Sequence, residues 1–376
     1  MAGKVLYLSN YGDVVGGGEI SLSLLIRGLD RSRYDPILVL PEKGNLEQKA
    51  VDLNVPVFVS NIFPLNTISA PIKLLSGVNN LLDIINNEKI DIVHSNATAR
   101  GALYSGAAAL RSGVPAVWHV RVLDKEPLSD NLLVRMYKKI ITNSESVAGR
   151  FKNISNAANK VITVYNPVDL ESYKPSPPDA KIRESFGASD EDIIVANVGR
   201  LVDYKGINYF IEAAEIIAAS DHPVAKKIKF TVVGDGPMRN DLKSQADNSK
   251  AHSKIFFTGH REDIPAILNS TDIFVLSSNA EHFGRVLIEA MACRKPVIGT
   301  KAGGVPEIIE HDVTGLLIPP RNPSEMAKAI MSLASDKEKA EKIASAGEDK
   351  ARRCFSIEKH AEKVMNIYDE ILKTGA

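Results

Sequence analysis

Short, largely apolar runs punctuate the chain. In the first half they fall at 5–8, 37–40, 55–59, 90–94, 116–120, 140–142 and 161–165. In the second half they recur at 193–198, 230–233, 273–276 and 296–299, with a further strand running out at 256–261. Apolar runs without alternation predict strands covered on both faces, the condition of a parallel sheet. Amphipathic stretches separate the runs. In 19–29 the apolar positions are Ile20, Leu22, Leu24, Leu25 and Leu29; in 285–293 they are Val286, Leu287, Ala290 and Met291. In 356–373 they are Ile357, Ala361, Val364, Ile367, Tyr368 and Ile371. Such spacing gives a helix one apolar face. Strands alternating with helices predict right-handed βαβ units and doubly wound sheets.

The stretch 69–87 also reads as a helix, opening at Pro71 as helices often do. It carries Ile72, Leu74, Leu75, Val78, Leu81, Leu82, Ile84 and Ile85. Two readings stay open: a helix packed on the core, or an interfacial surface for a lipid-linked acceptor. Only Lys73 and Lys89 supply positive charge to the second.

A chain of 376 residues is too long for one ordinary core, so two domains are expected. The best join is 164–178, where Pro167, Pro175, Pro177 and Pro178 turn and stiffen the chain. The expected division is 1–168 for the first domain, 169–190 for a linker, 191–355 for the second domain and 356–376 for a terminal helix.

Charge removes some functions. Lys plus Arg and Asp plus Glu both number 46, without the basic excess of a nucleic-acid binder. The two cysteines, Cys293 and Cys354, make no disulfide framework and fit a reducing, cytoplasmic setting. Cys293 reads as a core residue. No apolar run reaches the length of a transmembrane helix, and the N-terminus enters a strand without a signal-peptide core.

The chemistry gathers at 277–300. A strand runs out at 276, a loop holds Glu281, Phe283 and Gly284, and a helix begins at Arg285. Glu289 lies about one turn inside it, at ~1.5 Å per residue. The free N–H groups of a helix start, around Val286 and Leu287, and the helix dipole favour an anion. A ligand with a negative middle and hydroxyls at both ends fits this arrangement, each glutamate accepting paired hydroxyl protons. Spacing alone is equally met by ordinary exposed helix-start acids.

Arg200 and Lys205 follow the strand 193–198. A diphosphate needs its charge neutralised by a metal or by fixed cations before it can leave. No acidic pair stands at a strand end to hold a metal, since Asp190, Glu191 and Asp192 precede a strand. Arg200 and Lys205 suit the metal-free route. Gly16, Gly17 and Gly18 separate a strand from a helix, as a flexible loop or as a close approach to phosphate. His119 ends the strand 115–119, where ligands of such sheets sit, yet a lone histidine is also a common structural residue.

The string EHFGRVLIEAMA, with KPVIGTKAGGVPEII and TGLLIPP after it, resembles the signature of the family-4 retaining glycosyltransferases. GRLVDYKG resembles that family's diphosphate-binding stretch, GGGEISLSLLIRGL its first glycine loop, and NPVD its interdomain connection. The likeness is strongest over 199–320; 41–112 matches nothing specific.

The resemblance implies an α/β chain of the GT-B fold. Two Rossmann-like doubly wound domains would face each other across a cleft, with the C-terminal helix crossing back to the first. It implies a metal-independent transferase taking sugar, with retention, from a nucleotide diphospho-sugar, by default a UDP-sugar. The acceptor would be a glycan, a lipid-linked molecule or a small molecule. No cofactor and no nucleic acid is expected. A peripheral contact of the first domain with the inner face of the cell membrane is compatible with it.

By resemblance, Glu281 holds donor-sugar hydroxyls and Glu289 the ribose. Arg200, Lys205 and the N–H groups of Val286 and Leu287 take the diphosphate. Phe283 and Gly284 shape the turn, and Gly17 and Gly18 approach the donor. His119 borders the reacting sugar. Family members often follow that histidine with Asp, whereas this chain has Val120 and Arg121. Arg285 either adds charge or faces solvent. The competing functions are a sugar-nucleotide epimerase or hydrolase and a non-catalytic nucleotide-sugar-binding subunit.

Overall fold

The computed structural model describes residues 2–60 and 70–374. They divide into two compact units, 1–167 with 357–376 and 168–356.

The first unit is built on a parallel sheet. Its strands are β1 (Gly3–Ser9), β2 (Tyr34–Leu40), β3 (Val57–Val59), β4 (Ile92–Asn96), β5 (Ala116–Val120), β6 (Lys139–Thr142) and β7 (Val161–Thr163). They lie in the order β3-β2-β1-β4-β5-β6-β7. Successive side chains of a strand point to opposite faces, and both faces are apolar. Leu6 and Leu8 pack with Val78, Leu81 and Ile85 of the helix Ala70–Glu88 and with Ala102 and Ala108 of Ala99–Ser112. Val5 and Tyr7 pack with Leu22 and Leu25 of the helix Gly17–Arg27 and with Val364 and Tyr368 of Ile357–Thr374. The terminal helix is therefore part of the first unit. Tyr7 and Tyr368 join their hydroxyls at 3.0 Å, and Arg33 pairs with Asp369 at 2.6 Å.

Of the two readings of 69–87, core packing holds at Val78, Leu81 and Ile85, while Leu75 is exposed. Ser69 lies outside the described residues. Among the described residues no helix is long and apolar enough to cross a membrane.

The second unit repeats the plan. Its strands are β8 (Ile193–Val198), β9 (Ile228–Val233), β10 (Ile255–Gly259), β11 (Ile273–Leu276), β12 (Val297–Thr300) and β13 (Leu316–Ile318). They pair in parallel in the order β10-β9-β8-β11-β12-β13. One face is covered by Phe210, Ile211 and Ile217 of the helix Ile207–Ala218 and by Met326, Ile330 and Leu333 of Pro323–Ser335. The stretch 169–190, read from its prolines as a linker, belongs to this unit and contains the helix Ala180–Ser185. Buried Arg183 ties it down, donating to Ser270 O at 3.2 Å and pairing with Asp272 at 3.1 Å.

In both sheets the strand order reverses once, between β1 and β4 and between β8 and β11. Ligands of open α/β sheets settle at the carboxyl ends of strands beside such a reversal. The loops after β8 and β11 carry the candidate residues of the second unit.

Candidate active site

The loops after β8 and β11 are laced together. Ser277 Oγ donates to Lys205 O at 2.8 Å and accepts from Asn197 Nδ2 at 3.0 Å. Asn279 N donates to Tyr204 O at 2.7 Å. Gly206 closes the short 3-10 turn Asp203–Lys205 with φ of 63°. A Cβ there would stand 2.3 Å from Ser277 O. Only glycine combines that backbone with that approach, so Lys205 is held against the end of β11.

There Lys205 Nζ meets Glu281 Oε2 at 2.6 Å, and Ser278 Oγ donates to the same oxygen at 3.0 Å. Glu281 is 6% exposed. Its Oε1 accepts from no side chain among the described residues. Its backbone is fixed from β12: Gly304 N donates to Glu281 O at 2.9 Å, and a Cβ on Gly303 would lie 1.7 Å from that oxygen. The glycine pair after β12 therefore seats Glu281.

The helix Arg285–Ala292 starts at Gly284, its N-cap. Phe283 is buried and meets Phe355 edge-on, ring centroids 5.9 Å apart. Leu287 N donates to Gly284 O at 2.9 Å, so that N–H is already used. Arg285 and Val286 hold the first helical positions, whose N–H groups have no intrahelical acceptor. This narrows the expected anion-binding pair to Val286. Arg285 does not face solvent: it forms an ion pair with Glu289, the two side chains 13% and 7% exposed. Arg200 follows β8, exposed, with no ion-pair partner among the described residues.

The second unit thus joins Lys205 to Glu281 and Arg285 to Glu289 beside one helix start, with Arg200 in the loop after β8. Lys205 and Arg285 balance the two carboxylates, the β8 loop adds the positive charge of Arg200, and the helix start presents the positive end of its dipole. The ion pairs keep the buried acids neutralised, because an unpaired buried charge is costly. Among the described residues, no group of three or more His, Cys, Asp or Glu side chains is placed to hold a metal ion. Cys293 is buried at the far end of the helix, and burial pushes its thiol up to about 12. It is a packing residue.

Gly17, Gly18 and His119 lie in the first unit. Gly17 opens the helix Gly17–Arg27, with Gly18 beside the Arg121 side chain. His119 is 2% exposed at the end of β5. Sequence reading missed what surrounds it: His94 in the middle of β4, and His360 and Tyr368 on the terminal helix, all buried. The one signal was positional, since His94 closes the run 90–94 and His119 stands next to last in 116–120.

Comparison with known proteins gives a consistent picture. The model of "Glycosyltransferase Family 4" matches residues 15–172 and that of "Glycosyl transferases group 1" matches 178–350. Alpha-D-kanosaminyltransferase of Streptomyces kanamyceticus is 31% identical, over 51% of this chain and 49% of that one. The matched stretch thus spans about half of that relative. UDP-Gal:alpha-D-GlcNAc-diphosphoundecaprenol alpha-1,3-galactosyltransferase of Escherichia coli is 27% identical over 92% of this chain and 91% of its own. Among solved structures, Anabaena HepE in complex with UDP-glucose superposes with a TM-score of 0.83. It is 26% identical and covers 98% of this chain and 99% of that one. The chain belongs to the family-4 glycosyltransferases of the GT-B fold and is a transferase enzyme.

Proposed function

We propose that the protein transfers a sugar from a UDP-sugar to a glycan, lipid-linked or small-molecule acceptor, with retention at the anomeric carbon and without a metal. The observation that carries this is the set of fixed cations at the β8–β11 reversal, two of them held by the carboxylates assigned to the sugar and the ribose. The UDP-glucose bound by the Anabaena structure supports the choice of donor.

Donor binding exchanges partners. The donor-sugar hydroxyls take Glu281 and the ribose hydroxyls take Glu289. Lys205 and Arg285 are then released to the diphosphate, where Arg200 and the Val286 N–H join them. Each exchange replaces an ion pair by charge-assisted hydrogen bonds. As the bond from the anomeric carbon to the phosphate oxygen breaks, its electron pair passes to that oxygen. The cations stabilise the charge developing there, an electrostatic effect of the oxyanion-hole kind. The acceptor oxygen bonds to the anomeric carbon on the same face, and its proton goes to the departing phosphate. In this reading His119 hydrogen-bonds the donor sugar, and Gly17 and Gly18 let backbone come close to it.

Thermal shift against UDP-, GDP- and ADP-sugars, with and without chelator, tests the donor and the metal together. A ligand that binds only the folded state raises Tm by mass action. The expected result is a rise with UDP and UDP-sugars that chelator leaves unchanged. No rise with any nucleotide diphosphate, or one seen only after magnesium or manganese is added, would contradict the reading.

A further inference from the structure

His119 belongs to a buried chain of polar groups whose other members the proposed reaction does not use. His94 lies in the middle of β4 and His119 next to last in the adjacent strand β5. His94 Nε2 lies 3.3 Å from His119 Nδ1, and His94 Nδ1 lies 2.5 Å from the Tyr368 hydroxyl. That hydroxyl lies 3.0 Å from the Tyr7 hydroxyl. From the other side Arg121 Nη2 lies 3.3 Å from the same His119 Nδ1. The guanidinium is itself oriented, giving Nε to Asn96 Oδ1 at 2.9 Å and Nη1 to Asn166 Oδ1.

A guanidinium has donors and no acceptor, and a neutral imidazole has one of each. We propose that Arg121 is a positioning residue that fixes His119 in the tautomer protonated at Nε2, so that His119 offers the donor sugar a hydrogen-bond donor and not a base. The inference rests on the assignment of His119 to the donor sugar.

The rest of the chain agrees in sense. With Nδ1 of His119 as acceptor, His94 Nε2–H donates to it. His94 Nδ1 then accepts from Tyr368 O–H, and Tyr368 accepts from Tyr7 O–H. The opposite tautomer would point an N–H of His119 at the N–H of Arg121. Burial and the Arg121 charge both hold His94 and His119 well below the usual histidine range, so the neutral forms apply. The atom left over is His119 Nε2, buried and without a hydrogen-bond partner. A buried donor without a partner is costly and rare in a folded protein, and calls for an explanation; a ligand hydroxyl oxygen supplies one. His360 does not interfere: its Nδ1 donates to Tyr165 O at 2.7 Å, and its ring stacks on His119 at 6.1 Å.

Nitrogen NMR of the histidine-labelled full chain reads the tautomer directly and needs no activity. Wild-type His119 is expected neutral and protonated at Nε2 between about pH 6 and 8, above the range where neutral imidazole would gain a second proton in this setting. Arg121→Met should move population to the Nδ1-protonated form and lower kcat/KM for sugar transfer about tenfold, the worth of one hydrogen bond. Arg121→Lys, which restores a donor, should recover both. Protonation of wild-type His119 at Nδ1 would overturn the inference without any variant, as would an unmoved tautomer in Arg121→Met. A tautomer that moves while kcat/KM stays constant would keep the role of Arg121 and remove His119 from the donor site.

Discussion

Lys205→Ala should lower kcat for sugar transfer by about 10²–10³-fold, the cost of removing one group that stabilises a developing oxyanion. The same loss should appear in the slow donor hydrolysis measured without acceptor. Lys205 has two jobs to be told apart. One is to neutralise the buried Glu281, which it meets at 2.6 Å. The other is to receive the diphosphate as it departs. Breaking a buried ion pair by removing one partner costs about 3–5 kcal/mol because the other charge is stranded. Lys205 is 17% exposed on its side chain, so water relieves part of that cost. A double-mutant cycle with Glu281→Gln distinguishes the jobs. If neutralisation were all, Lys205→Ala would have no effect on kcat in the Glu281→Gln background. The account expects most of the kcat loss to persist there.

Glu289→Ala should weaken UDP binding about 100-fold, the worth of roughly two hydrogen bonds to a charged group at about 1.5 kcal/mol each. Binding of inorganic pyrophosphate, which has no ribose, should not weaken. Arg285 is released from its ion pair by the substitution and is free to meet the phosphates. Calorimetry with both ligands reads the contrast. Equal weakening of UDP and pyrophosphate would assign Glu289 to holding the helix start rather than to the ribose.

Much of the fold could be read from apolar runs because buried parallel strands leave a plain mark. Strands at 116–120, 193–198 and 273–276 were expected where β5, β8 and β11 occur. The terminal helix was expected over 356–373 and spans Ile357–Thr374. Ends were less legible: β1 begins at Gly3 and the first helix at Gly17, since edge residues pair by backbone whatever their polarity. The second unit's candidate residues were legible because chemistry and motif coincide around Glu281 and Glu289. Their pairing was not. Lys205 and Glu281 stand 76 positions apart, and only the order of β8 and β11 brings them together. The same holds for His94 and Tyr368, 274 positions apart. The described residues of the stretch 41–112 form ordinary strands and helices and carry no motif, so they gave structure without chemistry.

The central claim is that fixed cations at the start of the helix Arg285–Ala292 receive the diphosphate. A crystal structure of the protein with intact donor or with UDP tests it most directly. The account predicts phosphate oxygens within hydrogen-bond reach of Arg200, Lys205 and the Val286 N–H, with Lys205 drawn away from Glu281. A diphosphate bound away from that helix start, with the Lys205–Glu281 and Arg285–Glu289 pairs intact, would contradict it.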